Sequence, residues 1–344
     1  LTAMLNVSTS PHVRCAASTA TVMRDVMIAL LPPLLFGVYV FGLRALLVIL
    51  LSVAACVGSE YLYRRLMRLP STVGDGSAVV TGLILAMGLP SSVPWWIPVM
   101  GGAFAIVIVK QLFGGIGQNI MNPALAARCF LLISFPALVG SGFPAVGDLF
   151  GSSALSSLWQ RLTTVSVDAV ATATPLSVLR GGGVPDLWQL FFGLHAGCIG
   201  ETSAAAILLG AAYLLSRRVI RLRIPAVYVL GTVAFIALFR LGRGESVTAG
   251  YLLGQALSGG LLAGAVFMAT DYATSPITPI GQIVYAALLG LLTAMLRIFG
   301  SMTEGVSYAI LIGNMLSPLI ERATWPRPFG VRRAPREKKG GAQG

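Results

Sequence analysis

Acidic residues are scarce in this chain: Asp and Glu together number 12 in 344 positions, and all charged residues make up only 10%. That excludes an ordinary soluble domain, in which about a quarter of the residues are charged. Cysteine is also rare. Cys15, Cys56, Cys129 and Cys198 lie far apart and form none of the paired spacings that hold zinc or an iron–sulfur cluster, so they read as small buried apolar residues. One or two of them would still suffice for a cluster shared with another subunit. His12 and His195 are too few and too distant for a metal site or a proton relay of their own. No Ser-His-Asp motif accompanies them. The polar run Asn6 to Arg14 does not read as a cleavable signal peptide.

What is present is apolar: 56% of the residues are hydrophobic, far more than a soluble domain of this length buries. Runs of roughly 20 apolar residues, enough to cross a bilayer as helix, recur along the chain. The expected fold class is an all-α polytopic membrane protein with ten spans near 26–42, 45–63, 76–90, 95–113, 120–140, 200–216, 224–239, 252–270, 281–299 and 304–321. The third is the weakest as a continuous helix. Gly74, Gly76, Gly82, Gly88 and Pro90 suit a broken or re-entrant segment of the kind that lines transporter sites.

A net charge of +12 would point to nucleic acid in a soluble protein, but here the placement of the cations is what informs. With a cytoplasmic N-terminus, seventeen basic residues fall on the cytoplasmic side, including Arg217, Arg218, Arg221, Arg223 and the tail, against six outside: Arg44, Arg161, Arg180, Arg240, Arg243 and Arg297. The positive-inside rule supports that orientation, and nucleic-acid binding is the poorer reading. The expected organisation is a cytoplasmic N-terminal segment 1–25, a first helical repeat 26–140, an external loop 141–199, a second repeat 200–323 and a basic cytoplasmic tail 324–344.

The two halves resemble each other. Val80 to Pro94 and Leu262 to Thr278 are each a Gly-bearing apolar helix that ends in a polar, Pro-bearing turn, with Gly82 matching Gly264. Lys110 with the residues after it then matches Arg297 and its followers. Repeats of five spans must be inverted with respect to each other, which places a functional cavity where they meet. Close packing of helices explains most of the 40 glycines by itself, but not the matched polar breaks.

Several residues are candidates for chemistry. Asn119 and Asn122, three apart after a glycine-rich approach, are expected on one helical face, where their amides suit the edge of a flat heterocycle or a coordinated cation. An N-cap followed by Pro123 explains them equally well. The glycine run lacks the Lys-Ser/Thr ending and strand context of a nucleotide loop, which argues against ATP hydrolysis. Asp25, Glu60, Asp75, Glu201, Asp271 and Glu304 lie in or beside spans, mostly near their ends; Asp271 to Pro276 offers carboxylate and hydroxyl oxygens to a hard cation, or simply a helix-end turn. The stretch Val167 to Leu176 sits in a segment without long apolar runs. There, small residues including Ala173 surround Thr172 and Thr174 behind Asp168, which leaves room for a bulky modification on a hydroxyl. Thr174 alone would be read as a solvated turn residue.

At these residues the chain resembles the RnfD/NqrB family, the flavin-carrying membrane subunits of ion-pumping oxidoreductases. Ser10-Pro11-His12, Thr81-Gly82 with Gly88-Leu89-Pro90, Lys110 to Arg128, Gly200 to Ser203, Asp271 to Pro276 and Glu304 to Ser307 carry the likeness over nearly the whole chain. The resemblance implies FMN bound covalently to a loop threonine through a phosphoester, installed from FAD by a flavin transferase. The family pattern maps onto Asp168 to Thr174: Thr174 is the acceptor, Ala173 its small neighbour and Asp168 the leading acid. Ala171 replaces the usual hydroxyl residue and Thr172 the usual Gly or Ser. By the same resemblance, Asn119 and Asn122, with Thr81 as a weaker companion, match a segment that contacts non-covalent riboflavin. Asp271 is a candidate for the ion path. Implied partners are the other membrane and peripheral subunits of an Rnf complex, a second covalent-flavin subunit among them, in a bacterial cytoplasmic membrane. Two other classes compete: a passive channel or secondary transporter built from inverted repeats, and a membrane anchor with no cofactor.

Overall fold

The computed structural model describes residues 18–140, 143, 174–300 and 305–326, and all regular structure among them is helical. Asp168, Thr172, Ala173, Cys15, His12, Glu304 and the basic tail beyond Pro326 lie outside the described residues.

Four helices are long and apolar enough to cross a membrane: α1 (Thr19–Phe41), α2 (Leu43–Leu66), and further on Arg223–Gly242 and Pro279–Phe299. Between and around them run shorter apolar helices: α3 (Ser77–Met87), α4 (Trp96–Gln111, widening to a π-helix from Phe104), α5 (Pro123–Ser134) and α6 (Ala204–Ser216). With Arg223–Gly242 as α7, the next span is broken into α8 (Ala249–Leu257) and α9 (Leu261–Met268), bent by 58°. Pro279–Phe299 is α10 and Val306–Thr324 is α11. The chain is thus a multi-pass, all-helical membrane protein with four continuous candidate spans and a fifth if the bent pair counts as one.

Several expected spans are shorter than the sequence pattern implied, for local reasons. The segment expected over 76–90 is helical for only 11 residues, because Gly88 opens a polar turn that Pro90 and Pro94 continue. In the segment expected over 120–140, helix begins only at Pro123 and ends at Ser134, where Pro136 starts a separate four-residue turn. The α8–α9 break falls on Gly259 and Gly260, with φ of 65° and 67°, a left-handed pair that residues with side chains rarely adopt.

Close packing explains many glycines, as small residues do in membrane bundles. A Cβ on Gly82 would lie 2.7 Å from the Val53 backbone of α2, and one on Gly264 would lie 2.5 Å from Val306 of α11. A Cβ on Gly210 of α6 would reach within 2.3 Å of the Ala29 carbonyl of α1. These contacts clamp the short helices α3 and α9 against longer ones and press α6 onto α1. Large side chains such as Leu35, Leu50, Leu209, Leu230 and Leu238 project from the outer faces, where lipid and not water is the natural neighbour.

Candidate functional site

The two short helices α3 and α9 end on buried charges, and those ends form the site. At the start of α3, Glu60 of α2 is fully buried; it accepts from Lys110 Nζ at 2.9 and 3.1 Å, from Gln111 Nε2 at 2.9 Å and from Thr72 Oγ1 at 2.7 Å. Lys110 also donates to Ser77 Oγ, 2.6 Å away, on the first residue of α3. A carboxylate and an ammonium out of water survive only when paired and hydrogen-bonded like this. The sequence pattern suggested that most acidic residues sit near interfaces. Asp25, Glu60 and Glu201, which lie near the ends of apolar segments, are also buried among partners.

At the far end of α3, the backbone N–H groups of Ile199 and Gly200 donate to the carbonyls of Leu89 and Met87, both at 3.0 Å. That satisfies acceptors which a helix end leaves open. Arg128 of α5 lies beside this end, so near that a Cβ on Gly88 would come 2.8 Å from its Cδ. Its guanidinium donates to both oxygens of Glu201, at 2.6 and 3.3 Å, and to Ser307 Oγ of α11 at 3.1 Å. Glu201 in turn packs against Gly260, immediately before α9. A cation therefore stands at the C-terminal end of α3 and an anion at the N-terminal end of α9, each matching the helix dipole it faces. One ion pair joins α5, the loop before α6, α9 and α11.

Between α1, α3, α5, α6 and α9 opens a cleft whose free space, open solvent included, is about 850 Å³. Its walls are apolar: Val80, Ile84, Leu214, Ile220, Val266 and Phe267. Its polar groups are few, namely Ser77, Thr81, Lys110, Asn119, Asn122, Thr270 and Asp271 with Tyr272. Four residues singled out in the sequence, Thr81, Asn119, Asn122 and Asp271, thus converge on one cavity. The asparagines reach it differently from the expected shared helical face. Pro123 bars helix upstream of itself, so Asn122 is the N-cap of α5, its Oδ1 accepting from Ala124 and Leu125 N–H, while Asn119 stays in the preceding loop and donates to Met121 O. The cap thus uses the oxygen of Asn122. Thr81 Oγ1 bonds Ser77 O at 2.9 Å, and Asp271 closes its own turn by accepting from Ala273 N–H and Thr274 Oγ1.

Thr174 lies elsewhere, on a smaller pocket with His195, Cys198, Glu201, Gly259 and Gly260. It is partly exposed and caps the short helix Pro175–Arg180, its Oγ1 accepting from Ser177 N–H at 3.4 Å. His195 sits between the carbonyls of Ala196 and Thr202, at 3.0 and 3.1 Å; burial lowers its pKa, partly opposed by those carbonyls. The thiols of Cys56, Cys129 and Cys198 are buried, as expected of small apolar residues.

Sequence reasoning missed the Glu60–Lys110 and Arg128–Glu201 pairs. Their only signal was a charge inside an apolar run, as at Arg128.

Broken short helices, buried ion pairs at their ends and an amide-lined cleft between them define a membrane protein built around an internal cleft. The chain matches the NQR2, RnfD, RnfE family over residues 6–330 and belongs to that family. It is 46% identical over 340 residues, 97% of this chain and 98% of the relative, to a subunit of the Na(+)-translocating ferredoxin:NAD(+) oxidoreductase complex of Acetobacterium woodii. It is 38% identical over 341 residues to a subunit of the proton-translocating ferredoxin:NAD(+) oxidoreductase complex of Clostridium ljungdahlii, covering 96% and 97% of the two chains. A subunit of the ion-translocating oxidoreductase complex of Aliivibrio salmonicida is 35% identical over 345 residues, covering 94% and 98%.

Proposed function

We propose that this chain is the membrane subunit of an Rnf-type ion-translocating ferredoxin:NAD⁺ oxidoreductase, with FMN esterified to Thr174 and riboflavin held non-covalently in the cleft of Asn119 and Asn122. The observation that carries this reading is the convergence of Thr81, Asn119 and Asn122, far apart in sequence, on one apolar-walled cleft. Amide groups at the rim of an apolar cavity suit the donor and acceptor edge of a flat heterocycle. Thr174 fits the role of a tether. Its hydroxyl is partly exposed beside an open pocket, and an ester oxygen there still accepts from Ser177 N–H. Asp168, Thr172 and Ala173 complete the attachment sequence, and a flavin transferase acting on FAD installs the FMN.

The isoalloxazine supplies the redox chemistry when bound. The chain's own residues position it. Val80, Ile84 and Phe267 exclude water, Asn122 stays rigid because its oxygen caps α5, and the Lys110–Glu60 pair fixes the floor of the cleft. Ion movement, of Na⁺ or H⁺, follows from linkage between flavin redox state and the fit of the two halves, with Asp271 on the ion path.

The halves are two five-helix inverted repeats of ten spans. Two pairs of equivalent helices pack on each other, α1 on α6 and α5 on α11, as helices beside a two-fold axis would. Both matched cations reach an end of a short helix: Lys110 bonds Ser77 at the start of α3, and Arg297 bonds the Ser258 carbonyl at the C-terminal end of α8, 2.8 Å away. Both termini are cytoplasmic and Thr174 faces outward in a bacterial cytoplasmic membrane, where its flavin exchanges electrons with other subunits of the complex, a second covalent-flavin subunit among them.

A denaturing gel tests the reading. Cells that contain the flavin transferase yield a fluorescent band; a dark band would remove the covalent FMN from this reading and leave the family membership standing.

A further inference from the structure

Asn122 opens α5, and the neighbouring sequence gives its own backbone N–H no acceptor. At many helix starts a Glu or Gln three residues further on reaches back to that group. Here the third residue is Leu125, whose side chain accepts nothing. The partner comes instead from the other half of the chain. Asn314, in the middle of α11, accepts from Asn122 N–H through its Oδ1 at 3.2 Å, and its Nδ2 donates to Tyr285 OH of α10 at 2.7 Å and to Ile310 O at 3.3 Å. Turned the other way, the amide would set its oxygen against the Ile310 carbonyl and its nitrogen against the Asn122 N–H, so these neighbours fix its orientation. Gly313 makes the close approach of α11 to α10 possible: a Cβ there would lie 2.4 Å from Leu289 Cδ2 and 3.1 Å from Tyr285 Cε2. Asn122, Tyr285 and Asn314 are all buried.

That contact leaves Asn122 with one group to spare. Its carbonyl accepts from Ala126 N–H at 3.0 Å, its Oδ1 accepts from Ala124 and Leu125 N–H at 3.1 and 3.4 Å, and its N–H is held by Asn314. Its Nδ2 has no protein partner among the described residues, and Asn122 lines the apolar-walled cleft. A donor left unmet at that depth is costly, so the cleft is built for an acceptor at this point.

We propose that Asn314 is a positioning residue of the cleft: from the second half of the chain it pins the Asn122 backbone and thereby holds Nδ2 toward a carbonyl or ring-nitrogen acceptor of the bound heterocycle. The inference rests on the riboflavin reading of the cleft, and adds to it the polarity of one contact and two residues that do not line the cavity, Asn314 and Tyr285. They act through Asn122. Without Asn314 the buried N–H of Asn122 has no acceptor, and its peptide turns to find one, carrying Nδ2 away from the ligand.

Equilibrium dialysis of radiolabelled riboflavin against the purified full-length chain, stripped of non-covalent flavin, tests this with a double-mutant cycle. Asn122→Ala and Asn314→Ala each weaken binding about tenfold, and the double variant is no weaker than Asn122→Ala alone, because Asn314 then has nothing to position. A purely structural role for Asn314 would multiply the two losses. Tyr285→Phe removes one of the bonds that orient Asn314; it weakens binding by a smaller factor in the wild-type chain and not at all beside Asn122→Ala, and it carries the cycle if Asn314→Ala does not fold. Thr293→Val, which breaks a 2.8 Å bond to Tyr228 elsewhere on α10, leaves the affinity unchanged. Losses that multiply, or an Asn314→Ala chain with wild-type affinity, overturn the inference and leave the reading of the cleft standing. A wild-type chain that takes up no riboflavin overturns both.

Discussion

The two cavities of this protein solve opposite electrostatic problems. The Asn122 cleft keeps its charges paired and to one side: Lys110 is locked to Glu60 and Ser77, and what faces the open space is mainly aliphatic and aromatic with two amides. A second cleft is framed by Arg180, Arg240, Arg243 and Arg297, with Glu245 among them. The difference teaches that one helical scaffold can hold a cavity whose charges are paired off to one side next to a cavity framed by several guanidinium groups.

The sharpest break in that comparison is Thr174→Ala, which abolishes the fluorescent band in a denaturing gel while non-covalent flavin still co-purifies; Thr172→Ala keeps the band. Arg128→Met comes next. It leaves Glu201 buried without its guanidinium, so unfolding in detergent becomes easier by about 3–5 kcal/mol, read as a fall in Tm, and Arg128→Met/Glu201→Leu recovers much of that loss. If the single and double variants melt together, the pair does not join the halves. Lys110→Met sharpens the contrast from the other side, with a comparable fall in Tm and loss of non-covalent flavin, while the fluorescent band persists. Asn122→Ala is milder, about 1 kcal/mol from the lost cap, whereas Asn122→Asp keeps the cap. Both lose non-covalent flavin on gel filtration, which separates ligand contact from helix capping. Smallest is Thr81→Ala, roughly 0.5–1.5 kcal/mol from one bond inside α3, measured by thermal shift.

Local features were legible before the fold was known. Apolar runs gave the long helices, Gly88 with the prolines after it marked the break at 88–94, and the polar turn after the second glycine helix pointed to Asp271, which lines the same cleft as Thr81; the break at 259–260 inside the span expected over 252–270 was not foreseen. Asn122 was readable both as a cap and as a cleft residue, and it is both. What stayed hidden depends on distance along the chain: Arg128 finds Glu201 across 73 residues and Lys110 finds Glu60 across 50, and no periodicity carries such a pairing. The arginine cleft was hidden for the same reason. Arg180, Arg240 and Arg297 look like separate loop cations until the α8–α9 bend gathers them.

The hydrogen bonds from Ile199 and Gly200 to the end of α3 impose an order on biogenesis. The carbonyls of Met87 and Leu89 are made when their segment leaves the ribosome, but the donors that satisfy them are synthesised roughly 110 residues later, about 5–20 s at ordinary translation rates. In that interval the first half is an insertion intermediate with open acceptors and with Arg128 exposed without Glu201. Quality control of membrane insertion therefore has a defined window in which to recognise this chain, and it closes when the loop before α6 arrives.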